Sequence, residues 1–142
     1  MRAELFHVGL TVADLDRSLT FYRDIAGMEV LNVLDLDSEG FGRLTHNPGA
    51  RLRTALLGSG TFQLQLVQYT TGGGAPLDVD HRCPGAPHLS FWVADVDALY
   101  DRLTQHEDVT VTSDRIEVVP GIRSFYVADP DGVPVEFIER TG

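Results

Sequence analysis

Four stretches of the chain alternate apolar with polar residues, and this period of two predicts β-strands with one buried face. The stretches cover residues 5–12, 62–67, 87–93 and 133–137. In the first stretch the apolar positions, which we expect to pack against helices, are Phe6, Val8, Leu10 and Val12. The residues between the apolar positions point to the opposite face of each strand, which we predict to be free of helices.

Two segments with helical spacing follow the first and third of these strands. Asp14 and Asp95 each stand before an apolar stripe, where an aspartate can accept hydrogen bonds from the free N–H groups of a first helical turn. Gly27 predicts the end of the first helix. The two stripes consist of Leu15, Leu19 and Tyr22, and of Val96, Leu99 and Leu103.

The chain contains an internal repeat. HVGLTVADLD at 7–16 resembles HLSFWVADVD at 88–97, and LQLVQ at 64–68 resembles VEFIE at 135–139. Two pairs of similar segments in the same order indicate two copies of one unit. In each copy the pattern predicts a strand, a helix and three extended runs. In the first copy these runs are 29–35, either 42–46 or 51–57, and 61–69. In the second copy they are 109–112, 115–119 and 123–139, the last broken by a turn.

We therefore predict an α+β fold of two βαβββ units, whose curved mixed sheets enclose a cleft. The first unit covers residues 1–70 and the second covers residues 87–142, and together they form one domain. Residues 71–86 are rich in glycine, proline and aspartate, and this composition is typical of a linker.

Composition excludes several classes of function. The 142 residues carry a formal net charge of -10, which repels phosphate backbones and anionic lipids, so we expect neither nucleic acid nor membrane partners. No apolar run is long enough to cross a bilayer, and no leader peptide is recognisable. Cys83 is the single cysteine, which excludes an internal disulfide. We expect a cytoplasmic protein.

Four polar residues point to the predicted helix-free faces: His7, Gln65, His88 and Glu136. The repeat pairs the two histidines with each other, and Gln65 with Glu136. Two imidazoles, an amide oxygen and a carboxylate suit one borderline divalent ion, such as Zn, Ni, Co, Mn or Fe(II). The sequence thus predicts a metal-binding cleft to which each unit contributes two ligands.

The motifs around these residues resemble those of the vicinal oxygen chelate superfamily, which includes glyoxalase I, methylmalonyl-CoA epimerase, extradiol dioxygenases and bleomycin-binding proteins. The resemblance covers nearly the whole chain. It is carried by HVGLTV at 7–12 with Phe21-Tyr22, LQLV at 64–67, the strand opening at His88, and DPDG at 129–132 before Glu136.

The order His, Gln, His, Glu is similar to the metal set of methylmalonyl-CoA epimerases at all four positions. The resemblance implies a metal-dependent lyase or isomerase/epimerase that acts through a metal-chelated enolate of a small oxygenated substrate. Glu136 would then be both a ligand and a proton carrier. The second acid/base glutamate of those epimerases has no counterpart in the stretch Asn47–Arg51. The resemblance also implies a homodimer.

Two alternatives remain open. An Fe(II) extradiol-type dioxygenase would use His7, His88 and Glu136 as ligands, and Tyr126 stands where those enzymes place a tyrosine behind the iron ligands. A non-catalytic antibiotic-binding protein of the bleomycin-resistance type would instead use Trp92 as a stacking platform.

Several further residues are candidates for contact with a small-molecule substrate. Trp92 and Tyr126 are predicted to line the pocket, and Arg53 or Arg123 to pair with an anionic substrate group. We interpret His46, His81 and His106 as surface residues, because they lie in predicted loops or at a helix end and have no counterparts in the repeat.

Overall fold

The computed structural model describes all 142 residues, and the chain divides into two compact units, Met1–Pro76 and Leu77–Gly142. The division falls within the segment predicted as a linker. None of the helices is long and apolar enough to span a lipid bilayer.

Unit 1 contains a four-stranded mixed sheet with the strand order β1-β4-β3-β2. Strands β1 and β4 run parallel, and the other neighbours are antiparallel. Its elements are β1 (Val8–Thr11), α1 (Leu15–Thr20, continued by a π-helical turn over Phe21–Ile25), β2 (Glu29–Leu36), α2 (Glu39–Leu44), β3 (Arg51–Ser59) and β4 (Phe62–Thr71).

Unit 2 repeats this topology with one strand divided. The order is β5-β9-β8-β6, and β7 also pairs with β8, so that β6 and β7 together take the place that β2 has in unit 1. Strands β5 and β9 are again parallel. The elements are β5 (Leu89–Trp92), α3 (Val96–Leu103), β6 (Thr110–Val111), β7 (Ile116–Val119), β8 (Ile122–Ala128) and β9 (Pro134–Arg140). The predicted fold class, an α+β protein of two mixed sheets, is confirmed.

The aspartates predicted to cap the helices do so in both units. Asp14 accepts a hydrogen bond from the backbone N–H of Arg17 at 3.0 Å, and Asp95 accepts one from Ala98 at 2.8 Å. Gly27 has φ +74° just after the π-helical turn, a left-handed conformation that favours glycine and ends the helix.

Each helix start is also tied to the last strand of its own sheet. Gln68 on β4 accepts a hydrogen bond from the backbone N–H of Leu15 at 3.0 Å, and Glu139 on β9 accepts one from Val96 at 2.8 Å. These pairs occupy matching positions of the repeat. The strands that carry Gln65 and Glu136 are therefore coupled to their helices in the same way in both units.

An ion pair beside each helix repeats as well. Arg53 on β3 pairs with Asp16 in α1 at 3.1 Å, and Arg123 on β8 forms a two-pronged pair with Asp97 in α3, of which one contact is 2.7 Å long. The hydrogen bonds from Arg123 lower the pKa of Asp97 below its usual value.

The apolar core of each unit lies between its sheet and its helix. In unit 1 Leu15 and Tyr22 are fully buried with Leu64 and Leu66 of β4. In unit 2 Val96 and Leu103 are fully buried, and Phe125 and Phe137 are 1% exposed. Leu64 and Leu66 alternate along one strand, and Phe125 and Phe137 lie opposite each other on two strands, so each set shares one face of its sheet, as a period of two requires.

One expectation about the core was wrong in detail, and one open alternative between two extended runs is decided by the structure. Phe6 and Val8 were expected in the core but are 65% and 39% exposed: Phe6 lies before β1, and Val8 is the first residue of that strand. The run 42–46, one of two options for an extended segment, lies largely in α2, whose first turn is capped by Ser38. The other option, 51–57, is the strand.

Replacing Asp95 by alanine is expected to lower the free energy of unfolding by about 1 kcal/mol, the typical cost of losing a helix cap. The backbone N–H of Ala98 would lose its partner at the exposed start of α3. Urea unfolding of the variant and the wild type measures the difference. An unchanged midpoint would show that the cap contributes nothing to stability.

Candidate functional site

On the helix-free face of unit 1, Gln65 lies in β4, and His7 stands directly before the neighbouring strand β1. Gly9 of β1, two residues after His7, lies opposite Gln65 of β4 in the parallel ladder. The amide oxygen of Gln65 lies 3.9 Å from the point that a Cβ at Gly9 would occupy. A side chain at position 9 would therefore contact this oxygen, and glycine avoids that contact.

Two polar atoms on this face are buried without a hydrogen-bond partner. They are Nδ1 of His7 and Oε1 of Gln63, the residue two before Gln65. A buried imidazole nitrogen or amide oxygen without a partner in the chain is costly unless another group meets it, and both atoms can act as donors to a cation. The chemistry of this face fits a cation that accepts nitrogen and amide-oxygen donors.

Unit 2 holds the other two predicted ligands on its corresponding face. Ser90 of β5 lies opposite Glu136 of β9, and His88 stands two residues before Ser90, directly before the start of β5. Ser90 donates a hydrogen bond to Oε2 of Glu136 at 2.7 Å, and Ser124 donates one to Oε1 at 2.7 Å. Both carboxylate oxygens are thus held in place, and each retains a lone pair for a further partner.

Tyr126 lies beside this carboxylate, opposite Glu136 in the antiparallel ladder. Its ring packs edge-on against His88, with 6.4 Å between the centroids. Burial raises the pKa of the Tyr126 phenol, and the negative charge of Glu136 adds to the rise. The phenol therefore remains protonated near neutral pH and is available as a hydrogen-bond donor.

The other predicted substrate contacts have partners within the chain. Trp92 is 64% exposed and lies under the guanidinium of Arg140, 5.6 Å from the ring centroid. Arg53 pairs with Asp16 and with Asp35, and Arg123 pairs with Asp97. An anionic substrate group would have to compete with these carboxylates, so a binding role for the two arginines remains a prediction.

Within neither unit do three or more histidine, cysteine, aspartate or glutamate side chains lie close enough to hold one metal ion. Each unit offers a pair of suitable donors on one face: a histidine before the first strand, and Gln65 or Glu136 in the last. The donor types of both pairs fit a borderline divalent ion.

Sequence reasoning passed over three residues on these faces. Ser90 and Ser124 hold Glu136, and His81 packs against Tyr126 at 4.8 Å between ring centroids. The period of two places both serines on the face of Glu136, and that signal was available. No sequence signal placed His81 there, because it comes from an irregular segment and has no counterpart in the repeat.

Comparison with known proteins identifies the family. Residues 4–137 match the family described as the Glyoxalase/Bleomycin resistance protein/Dioxygenase superfamily. The chain belongs to this superfamily, which confirms the resemblance seen in its motifs.

Individual relatives span most of the chain. A 2-epi-5-epi-valiolone epimerase from Actinomyces sp. is 32% identical, with 93% of this chain and 76% of the relative covered. A lactoylglutathione lyase from Haemophilus influenzae is 29% identical, with 96% and 93% covered. A glyoxalase family protein from Bacillus cereus superimposes with a TM-score of 0.89 at 19% identity, over 100% of this chain and 97% of that one. The last likeness concerns the fold alone.

Proposed function

We propose that this chain is a divalent-metal-dependent isomerase/epimerase or lyase that acts through the enolate of a small oxygenated substrate. The proposed metal ligands are His7, Gln65, His88 and Glu136. The observation that supports the proposal is the repeat: in each unit a histidine stands directly before the first strand, and Gln65 or Glu136 lies in the parallel strand beside it. The similarity to an epimerase and to a lyase supports the reaction class.

A bound divalent ion would supply a positive charge that stabilises the negative charge developing on substrate oxygens. Glu136 would take the proton from the carbon next to the substrate carbonyl: the C–H bond breaks, an O–H bond forms, and the electron pair moves toward the carbonyl oxygen. Returning the proton to the substrate regenerates the carboxylate. Tyr126, protonated and next to Glu136 in the ladder, would donate a hydrogen bond to a substrate oxygen.

The function is tested on the purified wild-type protein. Elemental analysis is expected to find about one divalent ion per chain. In D₂O, NMR is expected to show deuterium entering a 2-hydroxyketone or an acyl-CoA thioester, without oxygen uptake. Oxygen consumption with a catechol would instead indicate a dioxygenase. Tight binding of bleomycin, with neither metal nor turnover, would indicate an antibiotic-binding protein.

Ser90 and Ser124 provide a second test of the metal site. Replacing either serine by alanine is expected to weaken metal binding by about tenfold or more, because partners that orient a metal ligand typically contribute this much. Ser18→Ala is the matched control, because its hydroxyl is buried without a hydrogen-bond partner. Metal affinities measured by competition with a chelator decide the outcome, and equal affinities in all three variants would contradict a ligand role for Glu136.

The proposal includes a homodimer. Edge strand β2 exposes Leu31, Val33 and Leu34, each between 45% and 51% accessible. Uncovered apolar side chains on an edge strand favour pairing with another chain. Light scattering is expected to give twice the chain mass of 15.6 kDa, and a monomer would contradict this part of the proposal.

A further inference from the structure

Three aromatic rings form a cluster on the helix-free face of unit 2: His81, His88 and Tyr126. His81 packs edge-on against Tyr126 at 4.8 Å, and its centroid lies 6.1 Å from that of His88. Tyr126 in turn lies opposite Glu136 in the ladder. The cluster therefore brings a second imidazole next to two residues of the proposed site.

The segment that carries His81 has defined local structure. The backbone N–H of Asp80 donates to the side chain of Asp78 at 3.0 Å, and that of Cys83 donates to the carbonyl oxygen of Asp80 at 2.9 Å. A methyl group of Val79 lies 3.7 Å from the point that a Cβ at Gly132 would occupy. The segment thus runs beside the turn that precedes β9, and the ring contact with Tyr126 places His81 beside β8.

The imidazole of His81 has no hydrogen-bond partner within the chain. It packs against the two rings of the cluster, Asp80 is a charged neighbour, and the residue is exposed to solvent. A neutral imidazole carries one N–H donor and one acceptor nitrogen, and both are free here to meet a ligand. Ser90 and Ser124, by contrast, are already engaged with Glu136.

We propose that His81 is a substrate-contacting residue, whose imidazole donates a hydrogen bond to an oxygen of the substrate beside His88 and Tyr126. This assignment rests on the function proposed above. Two substrate oxygens would engage the metal, so the oxygen that meets His81 is a third. The substrate class is therefore a polyoxygenated small molecule, in which a further hydroxyl or carbonyl lies near the reacting carbon.

The test compares two probes that differ by one hydroxyl, hydroxyacetone and 1,3-dihydroxyacetone, in deuterium exchange catalysed by the metal-loaded protein. The wild type is expected to have a KM for dihydroxyacetone about three- to tenfold lower, the range that one neutral hydrogen bond supplies. His81→Phe, which keeps a ring against Tyr126 but has no N–H, is expected to abolish this preference. His81→Gln, which keeps a donor, is expected to restore part of it.

A readout independent of turnover accompanies the kinetics. NMR signals of the His81 ring are expected to shift on addition of dihydroxyacetone and to stay in place with hydroxyacetone. His106→Phe makes the same substitution at another exposed histidine of unit 2 and is expected to behave like the wild type.

The outcomes separate the two proposals. If metal and exchange are present but His81→Phe retains the preference, the assignment of His81 is wrong and the proposed function stands. Loss of metal from His81→Phe would make His81 a metal ligand and would overturn substrate contact. A wild type with neither metal nor exchange would overturn the proposed function, and with it this assignment.

Discussion

Glu136→Gln is expected to lower the metal affinity of the protein by at least about 100-fold and its turnover by about 10²- to 10⁴-fold. Among the four proposed ligands Glu136 alone carries a negative charge, so the substitution removes the strongest attraction for a divalent cation. It also replaces one carboxylate oxygen by an NH₂ group, which cannot accept the hydrogen bond that Ser90 or Ser124 now donates. Elemental analysis and deuterium exchange measure the two effects.

Glu139→Gln is a closely matched control for this experiment. It removes the same charge from the same strand three residues further on, where the side chain accepts a hydrogen bond from the backbone N–H of Val96. An amide oxygen performs this role at Gln68, the corresponding position in unit 1. The control is therefore expected to retain both metal and turnover. Equal metal content in the two variants would exclude Glu136 as a ligand.

The repeat and the period of two were sufficient to predict most of the fold. Asp14 and Asp95 correctly predicted the starts of the two helices, because a helix cap depends on local sequence alone. The separate runs predicted at 109–112 and 115–119 are β6 and β7. The short helix α2 escaped prediction, because it consists of little more than one turn, for which the sequence offers only weak local signals.

The candidate site was predictable where it lies on regular strands. The alternating pattern predicts His7 and Gln65 on one face, and His88 and Glu136 on another. The strands confirm this alternation for Gln65 and Glu136, whose neighbours along the strand are buried, whereas both histidines stand directly before a strand. Their role as metal ligands stays a prediction. His81 could not be placed, because irregular backbone has no period from which a side-chain direction follows.

The substitution with the largest expected effect on stability lies in the apolar core of unit 2. Phe125→Ala is expected to lower the free energy of unfolding by about 3–5 kcal/mol, the typical cost of emptying the space of a buried phenylalanine. Phe125 is 1% exposed, and its ring lies 5.2 Å from that of Tyr100 and 5.6 Å from that of Phe137. The side chain of Phe125 points to the face opposite Tyr126 and Glu136. The loss of stability therefore measures the packing of the core rather than an effect on the candidate site.

Phe6→Ala makes the same substitution at a phenylalanine that the alternating pattern would also place in a core. Its side chain is 65% exposed, so the variant is expected to lose less than about 1 kcal/mol, because little apolar surface leaves water at this position on folding. Urea unfolding of both variants at one protein concentration measures the contrast. Similar losses would show that β1 continues the alternation through Phe6 and that its side chain packs inward. A small loss for Phe125→Ala would contradict the core described for unit 2.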